Sequence, residues 1–448
     1  MPFLSITDSE RREMLNVIGV ESFQDLLDSV PDEIQLTSEL NLPDALSEIE
    51  VTKLMKYLAS LNADSSQFVS FLGGGAYDHY SPAAVNHMLL RSEFYTAYTP
   101  YQPEVAQGTL QVNFEYQSLM CELTGMDISN ASLYNGASAA AEASLMAQNL
   151  LRKRNEVVIL QSVHPNYIEV VKTYNTAVDA TVIEVPFTDN GSADIDTLKQ
   201  TLNEKTACVI VQHPNFFGHL EDMKTLAQVT HDAGALFIAV VDPISLPILM
   251  PPGEYDADIA VGEGQALGNP ASFGGPHLGF FTCKTQYVRK MPGRVIGETV
   301  DLNGKRAYTM TLRTREQDIR REKATSNICT NQGLVALAST VYMCLMGKQG
   351  MYDVAHHCLQ KSHYLAARIA DLAAFQLQFK TPFFKEFVVK TPVPASQIIT
   401  DALSEKIHAG IALDRFYGDE FKHSMLVCVT EKRSKAEMDA FIEFLRRY

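Results

Sequence analysis

A chain of 448 residues exceeds one ordinary hydrophobic core, so two or three domains are expected; 46% hydrophobic and 20% charged residues exclude disorder and collagen-like repeats. The 37 Lys and Arg against 53 Asp and Glu leave a formal net charge of −16, which argues against nucleic acid and anionic membrane surfaces as partners. The seven cysteines (121, 208, 283, 329, 344, 358 and 428) are odd in number and show no C-x-x-C spacing, so they read as buried thiols of a reducing compartment.

Met1 to Glu10 lacks the basic start and apolar run of a signal peptide, and no stretch reaches the roughly 20 apolar residues of a bilayer span, so a cytoplasmic location is expected. Thr7-Asp8-Ser9-Glu10 is a capping box, and Pro31 and Pro43 punctuate further helical segments at Ser22–Ser29 and Ala45–Leu61. Residues 1–65 are therefore expected to form a helical arm that lies over another surface. The texture then changes to Gly73-Gly74-Gly75 and to an aromatic stretch, Glu93 to Glu104, expected as loop. Helices are predicted over Val112–Thr124 and Ala137–Lys153. Five short apolar strands separated by helical segments follow: Val157–Gln161, Thr181–Val185, Cys208–Gln212, Leu236–Asp242 and Ile259–Gly262. Near-continuous apolar strands alternating with helices indicate a parallel sheet buried on both faces, hence an α/β domain over 66–325. A further strand is expected at Leu278–Cys283. Residues 326–448 read as a linking helix (Asn331–Leu345) and a small α+β domain: helix Tyr352–Leu372, strand Phe387–Val389, helix Ala395–Lys406, strand Met425–Val429 and helix Lys435–Arg447.

That order, with a glycine-bearing helix start and an acid ending a strand, is similar to the layout of the aspartate aminotransferase-like pyridoxal-phosphate proteins of fold type I. The resemblance implies roles for three positions. Asn135-Gly136-Ala137-Ser138 opens a helix whose amides cup a phosphate in such enzymes, with plain capping by Asn135 or Ser138 as the alternative. Asp242 stands where they place the carboxylate that keeps the pyridine nitrogen protonated, or else caps the turn before Pro243. His164 matches the residue that stacks on the cofactor ring, and is vestigial or structural in a chain without cofactor. The Schiff base needs a lysine amine on the loop after the next strand, yet Val261 to Pro270 contains none, and Gln265 sits in that loop. Lys284 and Lys290 come next and read as surface residues.

Five stretches make the likeness specific: Phe71 to Tyr80, Tyr98 to Gly108, Asp242-Pro243-Ile244-Ser245-Leu246, Phe273-Gly274-Gly275-Pro276-His277, and Arg315 to Thr330. Through them the chain resembles the P-protein of the glycine cleavage system, in its alpha-subunit, lysine-less form. The resemblance implies glycine decarboxylation in an alpha2beta2 hetero-oligomer, pyridoxal phosphate bound on the beta subunit, release of carbon dioxide, and transfer of the aminomethyl group to the lipoylated H-protein. It implies that this chain alone is inactive.

Candidates for pocket or interface roles are Tyr95, Tyr98, Thr99, Tyr101, Gln102, Glu104 and Gln107 on the Pro-bounded loop. His164, Asp242 and His277 join them, together with Arg313, Arg315 and Arg320 from the one basic cluster, whose ordinary meaning is a solvated, salt-bridged helix face. His79 and His277, in glycine-rich loops, are expected to be buried and hydrogen-bonded. No metal is expected: the adjacent His356 and His357 point about 100° apart on a helix. Two other functions compete, a self-sufficient pyridoxal-phosphate lyase using Lys284 or Lys290, and a non-catalytic scaffold.

Overall fold

The computed structural model describes residues 5–36, 38 and 40–448; residues 1–4, on which part of the leader reading falls, lie outside them. The chain separates into two units, Met1–Asn62 and Ala63–Tyr448. In the first, Thr7 and Ser47 open the helices Asp8–Ile18 and Glu48–Ser60, each through a complete capping box with Glu10 and Glu50. Between them the segment expected as a helix at Ser22–Ser29 is a single 3-10 turn, Gln24–Leu27. None of these elements holds a buried residue, and Val17, Ile49 and Met55 are exposed.

The second unit is built on a seven-stranded sheet in the order Ile128–Ser129, Gly279–Cys283, Ile259–Glu263, Leu236–Val241, Thr206–His213, Glu156–Leu160 and Thr181–Val185. The last five of these run parallel, each predicted within two residues; four are apolar and almost wholly buried, and the edge strand Thr181–Val185 is half-exposed. Gly279–Cys283 reverses direction and pairs antiparallel with Ile259–Glu263. A second sheet of four antiparallel strands, Gln376–Leu377, Glu386–Lys390, Ser424–Cys428 and Ile411–Ala412, packs its face on the helices Ala395–Ala402 and Lys435–Leu445. Among the described residues no helix is long and apolar enough to cross a membrane.

Several expectations need correction. The aromatic stretch is not wholly loop, since Ser92–Tyr95 makes one helical turn that Thr96 closes through its hydroxyl on the Ser92 carbonyl. The helices predicted at Asn331–Leu345 and Tyr352–Leu372 run on as Gly333–Ala370, broken only at Gly347 (φ 58°, ψ −175°), a conformation that glycine alone tolerates easily. The hairpin Val295–Val300 with Arg306–Thr311 was missed. The basic cluster is three short turns rather than one helix face: Arg313–Arg315, Gln317–Arg320 and Arg321–Lys323. Arg315 is buried and donates to the Met291 carbonyl. Of the cysteines, 208, 283, 358 and 428 are buried, but Cys121 is only half-buried, and Cys329 and Cys344 are exposed, because one follows the turns and the other lies on the outer side of the long helix.

Candidate active site

Six elements converge where the larger sheet meets the smaller one. Asp242 follows the strand Leu236–Val241, and Glu263 ends the neighbouring strand Ile259–Glu263. The helix Gly136–Leu150 points its N-terminus at the same place, the helix Pro165–Thr176 contributes His164 and Tyr167, and the glycine-rich segment Phe71–Tyr80 closes over them. The strand Glu386–Lys390 and the residue before it supply Lys385 and Glu386 from the second sheet.

Most groups expected to meet a cofactor have a partner within the chain. Asn135 caps its helix by accepting from the Ser138 amide at 2.8 Å. The Gly136 amide donates to Glu263 Oε2 at 3.0 Å, while Glu263 Oε1 accepts from the amides of Gln265 (3.0 Å) and Leu278 (2.8 Å). A carboxylate so placed at a helix start is favoured by both the free amides and the helix dipole. Asp242 accepts from the Ile244 amide at 3.0 Å, as a turn cap does, and its other oxygen lies 2.7 Å from Lys385 Nζ. Lys385 is 1% exposed, sits 3.4 Å from the centroid of the Tyr77 ring, and donates to His79 Nε2 at 3.1 Å. Burial disfavours its ammonium, but the Asp242 carboxylate outweighs this and holds the lysine above its usual range.

The relay continues outward. With Nε2 accepting, His79 donates from Nδ1 to Glu431 at 2.6 Å; burial works against that carboxylate, yet His79 and the Tyr80 amide hold it below its usual range. His79, Cys358 and Glu431 are the one described group with metal-like spacing, and their polar atoms hold one another. Glu386 Oε1 accepts from the Gly74 amide (2.7 Å) and Oε2 from the Tyr77 hydroxyl (2.9 Å). Burial pushes the Glu386 carboxyl up to about 7. Asp78, paired with Lys432 and Arg433, completes the seam. A Cβ on Gly73 would overlap the Glu386 carboxylate, which explains that glycine.

His164 stacks on Tyr167 (centroids 5.1 Å apart, planes at 19°), accepts from the Asn166 amide at Nδ1, and donates to the Gly74 carbonyl from Nε2 at 2.6 Å. Burial holds it below its usual range. Gln265, in the loop where a Schiff-base lysine is missing, is 1% exposed and bonds the backbone of Tyr77 and Asn269. His277 is half-buried rather than buried, with Nδ1 3.7 Å from Glu263, which raises it. Lys284 pairs with Asp256 and Asp258, and Lys290 with Asn149, away from this place. The space left here measures about 30 Å³, room for one or two waters. Pyridoxal phosphate therefore does not fit this cleft.

The aromatic loop lines a different cavity, of about 210 Å³, formed by Tyr95, Tyr98 and Thr99 with Asn113, Thr330 and Leu337. Tyr95 and Tyr98 are exposed, as are Gln102 and Glu104. Tyr101 lies between the guanidinium groups of Arg294 (5.5 Å) and Arg313 (5.3 Å), and Arg313 pairs with Asp318 at 2.5 Å. Gln107 spends its amide on the Pro103 carbonyl and on both backbone groups of Tyr308. Arg320 donates to the Thr314 carbonyl and stays exposed. The structure thus separates this group from Asp242 and His164.

Several residues escaped the sequence reading, Tyr167 and Glu386 among them. Lys385 had a signal, since the charged pair Lys385-Glu386 interrupts the apolar run Phe383 to Val389 and buried charges need partners. Glu263 had a weaker one, an acid ending an apolar strand. Arg294, 4% exposed and reaching Tyr101, Thr99, Thr330 and the Cys329 carbonyl, had none.

The doubly connected sheet, the helix start below it and the acid at its strand end define a protein of the aspartate aminotransferase class, pyridoxal-phosphate fold type I. At 12% identity, a NifS-like protein (TM-score 0.63, 85% of this chain and 98% of that one) and a Burkholderia pseudomallei sphingosine-1-phosphate lyase (0.67, 92% of each) share that fold. The glycine cleavage system P-protein family model matches residues 1–445, and the chain belongs to that family. It is 53% identical to a probable glycine dehydrogenase (decarboxylating) subunit 1 of Chlorobium phaeobacteroides over 99% of both chains, and 50% identical to the same-named protein of Chloroherpeton thalassium over 100% of this chain and 99% of that one. A crystal structure of glycine decarboxylase (P-protein) in inhibitor-bound form superposes with TM-score 0.92 at 40% identity, covering all of both chains.

Proposed function

We propose that this chain is the alpha subunit of a two-subunit glycine decarboxylase in the glycine cleavage system. In this reading a lysine-bearing beta subunit holds pyridoxal phosphate. Glycine loses its carboxyl carbon there as carbon dioxide, and the aminomethyl group passes to the lipoyl arm of the H-protein. The observation that carries the reading is the closed cleft, which has no amine at Gln265 and no room for the cofactor, in a chain whose sequence follows its subunit 1 relatives from end to end.

This chain's contribution is then non-covalent. Tyr95 and Tyr98 present their side chains on a loop that Arg294 anchors, so a surface facing the partner's cleft is ordered before the partner arrives. The exposed apolar side chains of the arm, Val17, Ile49 and Met55 among them, are assigned to the same partner in an alpha2beta2 assembly. Seven free thiols suit a reducing cytoplasm.

The test mixes the full chain with a lysine-bearing homologue and follows exchange of the glycine carboxyl carbon with bicarbonate. Exchange is expected only from the mixture, and the chain alone, reduced with borohydride in pyridoxal phosphate, should carry no pyridoxyl group on any lysine. Exchange by the chain alone, an adduct on Lys284 or Lys290, or failure of the two chains to associate refutes the reading.

A further inference from the structure

The groups around the cleft are not merely short of a lysine; the Gly136 amide, His164 and Asp242 are each met by a side chain of particular shape and charge. The Gly136 amide, at the start of a 15-residue helix, faces the Glu263 carboxylate, and the Tyr167 hydroxyl lies so close that a Cβ on Gly136 would overlap it. The Tyr167 ring lies flat on His164. The Asp242 carboxylate faces the Lys385 ammonium, which comes from another sheet and a segment more than a hundred residues downstream. An anion on the helix start, an aromatic ring under the imidazole and a cation on the strand-end acid are the three parts of a phosphorylated pyridinium.

We propose that this cleft is complemented from within: Glu263 stands for the phosphate, Tyr167 for the ring and Lys385 for the protonated ring nitrogen, so the chain keeps a cofactor-shaped centre that binds no cofactor. The charges explain why all three are needed together. A carboxylate such as Asp242 buried with no counter-charge is costly, and a helix start facing an apolar void leaves its amides unpaired. Losing the ligand without replacing its charges would have unpaired both. Lys385 also does what a small ligand cannot. It is covalently part of the segment leading into Glu386–Lys390, and through Asp242, the Tyr77 ring and His79 it fastens that segment to the larger sheet and to the glycine-rich segment. The assignment rests on the fold and on these contacts, not on the glycine reading.

The full chain is titrated with pyridoxal phosphate and, separately, inorganic phosphate, following thermal unfolding and the absorption difference spectrum. Wild type should show no saturable spectrum and no rise in Tm with either. Tyr167→Gly combined with Glu263→Ala opens the ring and phosphate positions. It should bind pyridoxal phosphate non-covalently, at least tenfold more tightly than wild type, with a Tm that rises with ligand. Saturable binding by wild type, or a folded double variant with no gain, overturns the proposal. Because that variant leaves buried amides unpaired, a second measurement decides if it does not fold. Lys385→Met should lower Tm strongly, and Asp242→Asn added to it should recover at least half of the loss, since removing both charges costs less than stranding one. Additive losses in that cycle overturn the proposal as well. Non-covalent binding by wild type would leave the expected absence of a borohydride adduct intact, so the two readings fail separately.

Discussion

Glu142 lies in the helix that begins at Gly136, is 1% exposed, and its Oε1 has no hydrogen-bond partner. Burial lifts its carboxyl from the usual 4.5 to about 7, and Ser326 offsets this only in part. Folded chains then hold a proton that unfolded chains release between these two values, so stability falls as pH rises from about 4.5 to about 7 and is level beyond. At about 1.4 kcal/mol per pH unit, the whole loss is about 3 kcal/mol. Glu142→Gln cannot ionise. It exchanges one unpaired oxygen for an amide whose burial cost, about 1–3 kcal/mol, does not change with pH. The variant-minus-wild-type difference in unfolding free energy should therefore shift in the variant's favour by about 2–3 kcal/mol between about pH 5 and about pH 8.5. Urea unfolding followed by far-ultraviolet circular dichroism suits a chain without tryptophan. Taking the difference cancels the other titrating groups, including Glu386 and the buried His213 and His219. An equal difference at both pH values would refute the reasoning, because it would mean that Glu142 ionises as freely folded as unfolded.

Gly73→Ala should lower stability by about 1–3 kcal/mol, since its methyl overlaps the Glu386 carboxylate and the Cys428 Cβ, whereas Gly108→Ala, with nothing within 4 Å at an exposed position of the helix Gln107–Thr124, should be neutral or raise it by up to about 1 kcal/mol; thermal unfolding of the pair checks both. In the assembled complex, Tyr98→Phe and Tyr101→Phe should slow glycine carbon exchange roughly tenfold to a hundredfold, about 1–3 kcal/mol, with Tm unchanged in Tyr98→Phe and lowered in Tyr101→Phe, whose hydroxyl accepts from Arg294. Wild-type exchange rates in both would return the loop to a packing role and favour the scaffold alternative.

The α/β layout was legible because its signals are local. An apolar run of five or six residues, rich in β-branched side chains and bounded by turn residues, reads as a buried strand, and Thr7 to Glu10 caps a helix by its own atoms. The missing lysine was legible too, since an absent amine needs no coordinates to be recognised. The hairpin Val295–Val300 with Arg306–Thr311 was not, because its strands carry exposed polar positions and no clean alternation. Asp242 and His164 were singled out by position alone, and the sequence left each divided between a ligand role and a local one. Only the tertiary structure gives the partners these positions find, by bringing Lys385 from 143 positions downstream onto Asp242, and Glu263 from 127 positions downstream onto Gly136. Such pairs are chosen by the energy of burying charge, which depends on what lies across the cleft and leaves no mark on the residues to either side.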